Sequence, residues 1–187
     1  GNLANVKRLH DAGFRMLGLA YFFDTELAGS MAGEKKGGLT ALGAEVVREA
    51  EKRGMIIDVA HSSPAAYADV LKIATRPVVV SHGGVKGTCD TPRNLSDDQL
   101  RALAANGGVV GIGYWDAAIC QPTPEATAKA ILHAVMVAGI DHVGLGSDYD
   151  GATTVGFDTA HLDVVTQALM QAGMNEADIA KVMGGNT

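Results

Sequence analysis

Two histidines follow apolar segments of the sequence, and their side chains are well suited to bind a metal. His61 comes directly after "MIIDVA" at residues 55–60, and His82 comes soon after "PVVV" at residues 77–80. Neutral imidazole nitrogen is a good ligand for zinc and similar first-row metals. If the two segments are neighbouring parallel strands, the two histidine backbones lie about 5 Å apart. A single strand-end histidine is more often structural, but two in succession predict one metal site.

Asp148 and Arg93 could supply an acidic group and a cation near the predicted metal site. Asp148 ends the apolar segment "HVGLGSD", and close to a metal it could accept a proton from bound water or bind a substrate ammonium group. Asp150, two residues later, is interpreted as a turn residue. Arg93 lies in the loop after residues 77–81, and its planar guanidinium suits a carboxylate, although a loop arginine is more often a solvated charge.

The remaining four histidines are interpreted as structural. Three of them fall within predicted helices and one lies at a strand start, far from the strand ends that carry the other polar residues: His10, His133, His161 and His142.

The elements that must position these residues alternate between helices and apolar strands. Strands are predicted at residues 14–20, 55–60, 77–81, 109–115 and 142–148. Helices are predicted at residues 4–13, 39–54, 63–74, 95–108, 123–139, 158–173 and 175–185. Strands that are apolar on both faces and alternate with helices indicate a parallel sheet covered by helices.

The predicted fold class is therefore α/β, a (β/α)8 TIM-barrel type that is incomplete in this chain. Five strands do not close a barrel of eight. In such a barrel the active site lies at the carboxyl ends of the strands. The polar or aromatic residues found just after the predicted strands are Tyr21, Asp24, His61, His82, Trp115, Asp148 and Asp150.

Composition excludes several other classes of function. The 187 residues are 47% hydrophobic and carry a formal charge of −6, which suits one globular domain over residues 1–187. An acidic chain without Lys/Arg clusters is not expected to bind nucleic acid. The longest apolar runs are far shorter than a membrane span, so none is predicted. The compartment, cytoplasmic or exported, stays open.

Three long segments together resemble the renal (membrane) dipeptidase family of metal-dependent amidohydrolase-like metallopeptidases. They are "KGGLTALGAEVVREAEKRGMIIDVAHSS", "RPVVVSHGGVKGTCDTPRNLSDDQLRALAANGGVVGIGYW" and "DHVGLGSDYDG". The resemblance implies a (β/α)8 barrel with two zinc ions, which hydrolyses the amide bond of dipeptides through a metal-bridging water. It implies that His61 and His82 bind zinc and that Arg93 binds the substrate's carboxylate. Asp148 matches an aspartate with a proton-transfer or amino-group-binding role.

The sequence departs from the family pattern at two places. The family's His-x-Asp pair and bridging glutamate, which complete the two-zinc site, have no match, so the chain is expected to be the C-terminal portion of a longer protein. Tyr21 stands in "AYFFDT", where the family usually has a histidine that contacts the substrate. Tyrosine also donates a hydrogen bond but is neutral at pH 7. Tyr21 is therefore a predicted substrate-binding residue, and altered specificity or weaker activity is expected.

Several alternatives stay open at this stage. Counting cysteines favours two free thiols, whereas the family resemblance suggests a disulfide between Cys89 and Cys120. The leading function is a zinc dipeptidase, with a small dipeptide as substrate and a homodimer expected from family habit. The alternatives are an amidohydrolase that acts on N-acyl amino acids, and a non-catalytic barrel fragment that lacks the first metal's ligands.

Overall fold

The computed structural model describes all of residues 1–187, and strands alternate with helices along them. The strands are β1 (Met16–Gly18), β2 (Ile56–Asp58), β3 (Val79–Gly83), β4 (Val109–Ile112) and β5 (Val143–Leu145). The helices are α1 (Ala4–Asp11), α2 (Ala41–Lys52), α3 (Pro64–Ile73), α4 (Asp97–Ala105), α5 (Asp116–Ile119), α6 (Pro124–Ala138), α7 (Asp163–Gln171) and α8 (Glu176–Ala180). Short 3-10 helices lie at Ile140–His142 and Thr159–His161, and a π-helix lies at Lys181–Gly185.

The chain forms two compact units. The first contains Gly1–Val80 and Asn106–Gly108, and the second contains Ser81–Ala105 and Val109–Thr187. The prediction of a single domain over residues 1–187 therefore stays a prediction.

The sheet pairs its strands in chain order, β1-β2-β3-β4-β5. In the first unit β2 runs parallel to both β1 and the start of β3. In the second unit the Gly113 amide donates to the Gly83 carbonyl at the end of β3, and β4 runs parallel to β5. The predicted α/β fold with five parallel strands is confirmed. Five strands make an incomplete barrel, as expected.

Four of the five strands are shorter than their predicted segments, and β3 has the predicted length but begins two residues later. The prediction for residues 109–115 is wrong at its end, because β4 stops at Ile112 and the helix α5 begins at Asp116. The Asp116 carboxylate accepts a hydrogen bond from the Ala117 amide, which favours a helix start at this point. A four-residue helix has no apolar periodicity, and the sequence pattern therefore could not show it.

Serine side chains cap the starts of two helices. Ser63 accepts a hydrogen bond from the Ala66 amide at the start of α3, and Pro64 occupies the first turn. At the start of α4, the Ser96 hydroxyl accepts from the Gln99 amide while the Gln99 side chain accepts from the Ser96 amide. This reciprocal pair is a capping box. These caps fix the starts of α3 and α4, which follow the loops that carry His61 and Arg93.

Cys89 and Cys120 form a disulfide in the second unit, with their Cα atoms 5.5 Å apart. This separation lies in the usual range for a disulfide, and the structure contains no free cysteine. The Asn94 side chain donates to the carbonyls of Cys89 and Ala118, so it links the Cys89 loop to α5 next to the disulfide. Of the two alternatives left open by the sequence, the disulfide is the one observed.

Loss of this disulfide is expected to lower the free energy of unfolding by about 4 kcal/mol. The bond spans 31 residues, and closing a loop of that length removes conformational entropy from the unfolded chain. Urea unfolding of the oxidised protein with and without dithiothreitol measures the difference. The double variant Cys89→Ser/Cys120→Ser is the control, since its stability should not respond to the reductant. Equal stability of oxidised and reduced wild-type protein would contradict the prediction.

No helix of the structure is long and apolar enough to cross a membrane.

Candidate functional site

His61 follows β2 in a left-handed backbone conformation, with φ at 65°. This conformation is uncommon for a residue with a side chain, and the surrounding structure must hold it in place. The His61 carbonyl accepts a hydrogen bond from the Met31 amide at 2.9 Å. Two residues later Ser63 donates from its amide to Gly29 and from its hydroxyl to Gly37. The long loop at residues 24–38 thus fixes the turn that carries His61.

Asp24 organises this loop. Its carboxylate accepts hydrogen bonds from the amides of Ser30 at 2.9 Å and Lys35 at 2.8 Å. These backbone donors lower the pKa of Asp24 below its ordinary value, because they stabilise the ionised form. A Cβ atom on Gly33 would lie 2.1 Å from the Asp24 carboxylate, so the loop requires glycine there. Asp24 therefore supports the His61 turn through the loop rather than through direct chemistry.

The His61 ring packs against two aromatic side chains of the same unit. Its centroid lies 4.9 Å from that of Tyr21 and 5.2 Å from that of Phe22. His61 is only 8% exposed, whereas Tyr21 is 50% exposed. The Tyr21 backbone carbonyl also accepts a hydrogen bond from the Ser30 hydroxyl. The structure therefore brings together two predicted site residues, His61 and Tyr21, with the tyrosine reaching solvent.

His82 lies in β3, and its two ring nitrogens face different groups. Nδ1 is 2.8 Å from the Ser81 hydroxyl oxygen, and Nε2 is 3.8 Å from Asp148 Oδ2. A neutral imidazole that binds a metal through Nε2 carries its proton on Nδ1, so Ser81 would then accept that proton's hydrogen bond. Sequence reasoning missed Ser81, although a hydroxyl next to a predicted ligand is a usable signal.

Asp148 also has a left-handed backbone, with φ at 54°. Aspartate tolerates this conformation better than most residues. The Thr153 hydroxyl donates to the Asp148 carbonyl at 3.1 Å, and a Cβ on Gly151 would lie 2.4 Å from the Asp148 carboxylate. Asp150 lies in the turn that follows, as predicted. The turn therefore directs the Asp148 carboxylate to the neighbourhood of His82.

Arg93 reaches the same place from the loop after β3. One terminal nitrogen donates to the His82 carbonyl at 2.7 Å. Its guanidinium carbon lies 5.6 Å from the centre of the Trp115 ring, and the His82 and Trp115 ring centroids are 6.0 Å apart. The second unit thus brings together three predicted site residues, His82, Arg93 and Asp148, and the Trp115 ring lies beside the first two.

The donor set fits part of a zinc site. Imidazole is a preferred zinc ligand, and zinc usually takes three or four protein ligands. No group of three or more His, Cys, Asp or Glu residues in the structure could hold a metal ion. His61 belongs to the first unit and His82 to the second. That both imidazoles serve one metal site therefore stays a prediction.

Known proteins that are similar to this chain include dipeptidases and metallopeptidases. The model of the membrane dipeptidase family (peptidase family M19) matches residues 1–187. "Dipeptidase aclJ" of Aspergillus oryzae is 34% identical over 197 residues, which cover 100% of this chain and 47% of that protein. The chain thus spans about half the length of this curated relative.

Two solved structures show the same arrangement of elements. The "probable dipeptidase PvdM" of Pseudomonas aeruginosa has a TM-score of 0.91 and 25% identity, over 99% of this chain and 64% of that one. A metallopeptidase of Rhodobacter sphaeroides, solved with a phosphinate mimic of the dipeptide L-Ala-D-Ala, has a TM-score of 0.86 and 26% identity. That match covers 97% of this chain and 56% of the other.

Proposed function

The chain belongs to the membrane dipeptidase family, peptidase family M19, and on this basis we propose that the protein containing it hydrolyses dipeptides with the help of zinc. Its relatives include proteins named dipeptidases and metallopeptidases. Bound zinc would supply Lewis-acid activation of water and of the scissile carbonyl. His61 and His82 are the residues proposed to hold it. Two zinc ions are proposed from the family resemblance, with this chain supplying only part of their ligands.

The observation that carries the proposal is the contact of both Asp148 and Arg93 with His82. Asp148 Oδ2 lies 3.8 Å from the His82 ring, and Arg93 bonds the His82 backbone at 2.7 Å. A carboxylate beside a proposed metal ligand can accept a proton from the attacking water or bind the substrate's amino group. A guanidinium that bonds the backbone of the same histidine can bind a free carboxylate. Together these groups fit the two charged ends of a dipeptide.

Tyr21 is proposed to contact the substrate from the first unit. Its side chain is half exposed beside the His61 ring. A phenol can donate one hydrogen bond to a carbonyl or to the oxyanion that develops during hydrolysis. A neutral hydrogen-bond donor would stabilise that negative charge less than a protonated histidine would. We therefore propose that this protein hydrolyses dipeptides more slowly than relatives that have histidine at this position.

Replacing Arg93 by Ala tests the proposal on the natural protein that contains this chain. We expect kcat/KM for dipeptides to fall about 10- to 100-fold, since a charge-assisted pair of hydrogen bonds to the carboxylate is lost. Steady-state kinetics on dipeptides and on N-acyl amino acids measure the effect and separate the two proposed substrate classes. Arg101→Ala is the matched control, because Arg101 lies exposed on α4 and pairs with Asp98.

Unchanged kcat/KM in Arg93→Ala would contradict the carboxylate-binding role. Faster hydrolysis of N-acyl amino acids than of dipeptides would favour the related amidohydrolase function instead. If the zinc-loaded wild-type protein hydrolysed neither class, the non-catalytic alternative would replace the proposal.

A further inference from the structure

Trp115 occupies a closely fitted position in the second unit. The residue lies between β4 and α5 and is only 5% exposed. Its backbone pairs with Val155 in an isolated antiparallel bridge. A Cβ atom on Gly113 would lie 1.9 Å from a ring carbon of Trp115, so the ring fits only because residue 113 is glycine. The indole therefore has one well-defined place in the structure.

The indole face is directed at the proposed carboxylate-binding group. The guanidinium carbon of Arg93 lies 5.6 Å from the ring centre, within the range of a cation–π interaction. Arg93 is also tied to the His82 carbonyl, so two contacts from different elements restrict one long side chain. Arginine otherwise has many rotamers, and most of them cannot present both nitrogens to one carboxylate.

We propose that Trp115 is a positioning residue that orients Arg93 for a free C-terminal carboxylate, an inference that rests on the proposed function. A cation–π contact leaves the guanidinium N–H groups able to donate to a carboxylate. The ring contact and the binding of a carboxylate therefore do not compete. The buried indole also gives the cation a neighbour of low dielectric constant, which strengthens its attraction for an anion. Trp115 would thus favour free carboxylates over amides.

A merely structural role for Trp115 predicts a different pattern of effects. A buried tryptophan contributes to the core, and its removal would lower stability and depress the hydrolysis of all substrates alike. A positioning role acts through Arg93, so it acts on substrates that carry the carboxylate. The comparison of a dipeptide with the same dipeptide amidated at its C-terminus distinguishes the two roles.

The kinetic test uses Trp115→Leu and Trp115→Phe in the natural protein. We expect Trp115→Leu to raise KM for the dipeptide about 10-fold with kcat changed less than about 3-fold, since an oriented cation contact is lost. Hydrolysis of the dipeptide amide should be nearly unchanged. Trp115→Phe keeps an aromatic face and should recover most of the preference for the dipeptide over its amide. An equal loss on dipeptide and amide, or an unchanged ratio between them in Trp115→Leu, would overturn the inference.

A fluorescence measurement detects the contact between Trp115 and Arg93 without relying on catalysis. Trp115 is the only tryptophan in the 187-residue chain, and its emission responds to the charge beside it. Titration with a non-hydrolysable phosphinate dipeptide mimic should change the emission in wild-type protein, with Trp115→Phe as the blank. The change should be absent in Arg93→Ala. If the emission changed identically in Arg93→Ala, the inference would be overturned. If the wild-type protein hydrolysed no dipeptide but still showed an emission change that depends on Arg93, only the proposed function would be contradicted.

Discussion

Replacement of His82 by alanine is expected to abolish measurable dipeptide hydrolysis and to weaken zinc binding by more than about 100-fold. Removing a group that merely hydrogen-bonds a zinc ligand costs about 10- to 100-fold in metal affinity, so removing a ligand costs more. The variant also removes the ring that faces Asp148 across 3.8 Å. Competitive titration with a chelator measures zinc affinity, and initial rates measure hydrolysis.

Two further variants show whether the loss of zinc affinity and activity is specific to the proposed zinc ligands. His61→Asn should produce a comparable loss while the protein stays folded, because asparagine accepts the left-handed backbone that His61 adopts. His161→Ala is the matched control, since His161 is an exposed histidine paired with Asp158. His161→Ala should keep wild-type zinc affinity and rates. Full zinc affinity in His82→Ala, with the protein folded by circular dichroism, would refute its assignment as a ligand.

Replacement of Asp148 by asparagine is expected to lower kcat for dipeptides about 100-fold or more. Asparagine has the same size and tolerates the same left-handed backbone, so the fold should persist. It cannot accept a proton at neutral pH, and a positioned acid or base contributes about 10²- to 10⁴-fold to rate. If Asp148 mainly binds the substrate ammonium group, KM rises instead and kcat falls less. Steady-state kinetics across pH measure both parameters.

Asp150→Asn is the matched control for this experiment. Asp150 lies two residues later, in the turn after Asp148, and carries the same charge. Its replacement should leave kcat within about 3-fold of the wild-type value, because surface substitutions away from a site have small effects. Wild-type kinetics in Asp148→Asn, or an equal loss in Asp150→Asn, would remove Asp148 from the proposed mechanism.

The sequence predicted the order of elements well, because local signals determine them. Apolar strands alternate with amphipathic helices, and Ser63 with Pro64 gives a clear start for α3. The approximate strand ends were enough to place His61 just after β2, whereas His82 lies within β3, next to its last residue. Their positions after predicted strands also made Asp148 and Arg93 candidates for the site of His82, and the family resemblance then suggested their roles.

Other features depend on contacts between distant segments, which no local pattern reveals. The left-handed backbone of His61 is held by a loop that approaches from elsewhere, through the Met31 amide at the His61 carbonyl. Trp115 was noted after its predicted strand, but only the structure shows it against Arg93. That contact requires the absence of a side chain at Gly113. The disulfide likewise depends on the loops that bring Cys89 to Cys120.

Anomalous diffraction at the zinc absorption edge tests the proposed metal site most directly. The measurement requires crystals of the zinc-loaded natural protein that contains this chain. We expect zinc density with a ring nitrogen of His61 and a ring nitrogen of His82 each about 2.1 Å from a zinc ion. Zinc bound by other residues in a protein that hydrolyses dipeptides, with both imidazoles away from the metal, would contradict the account.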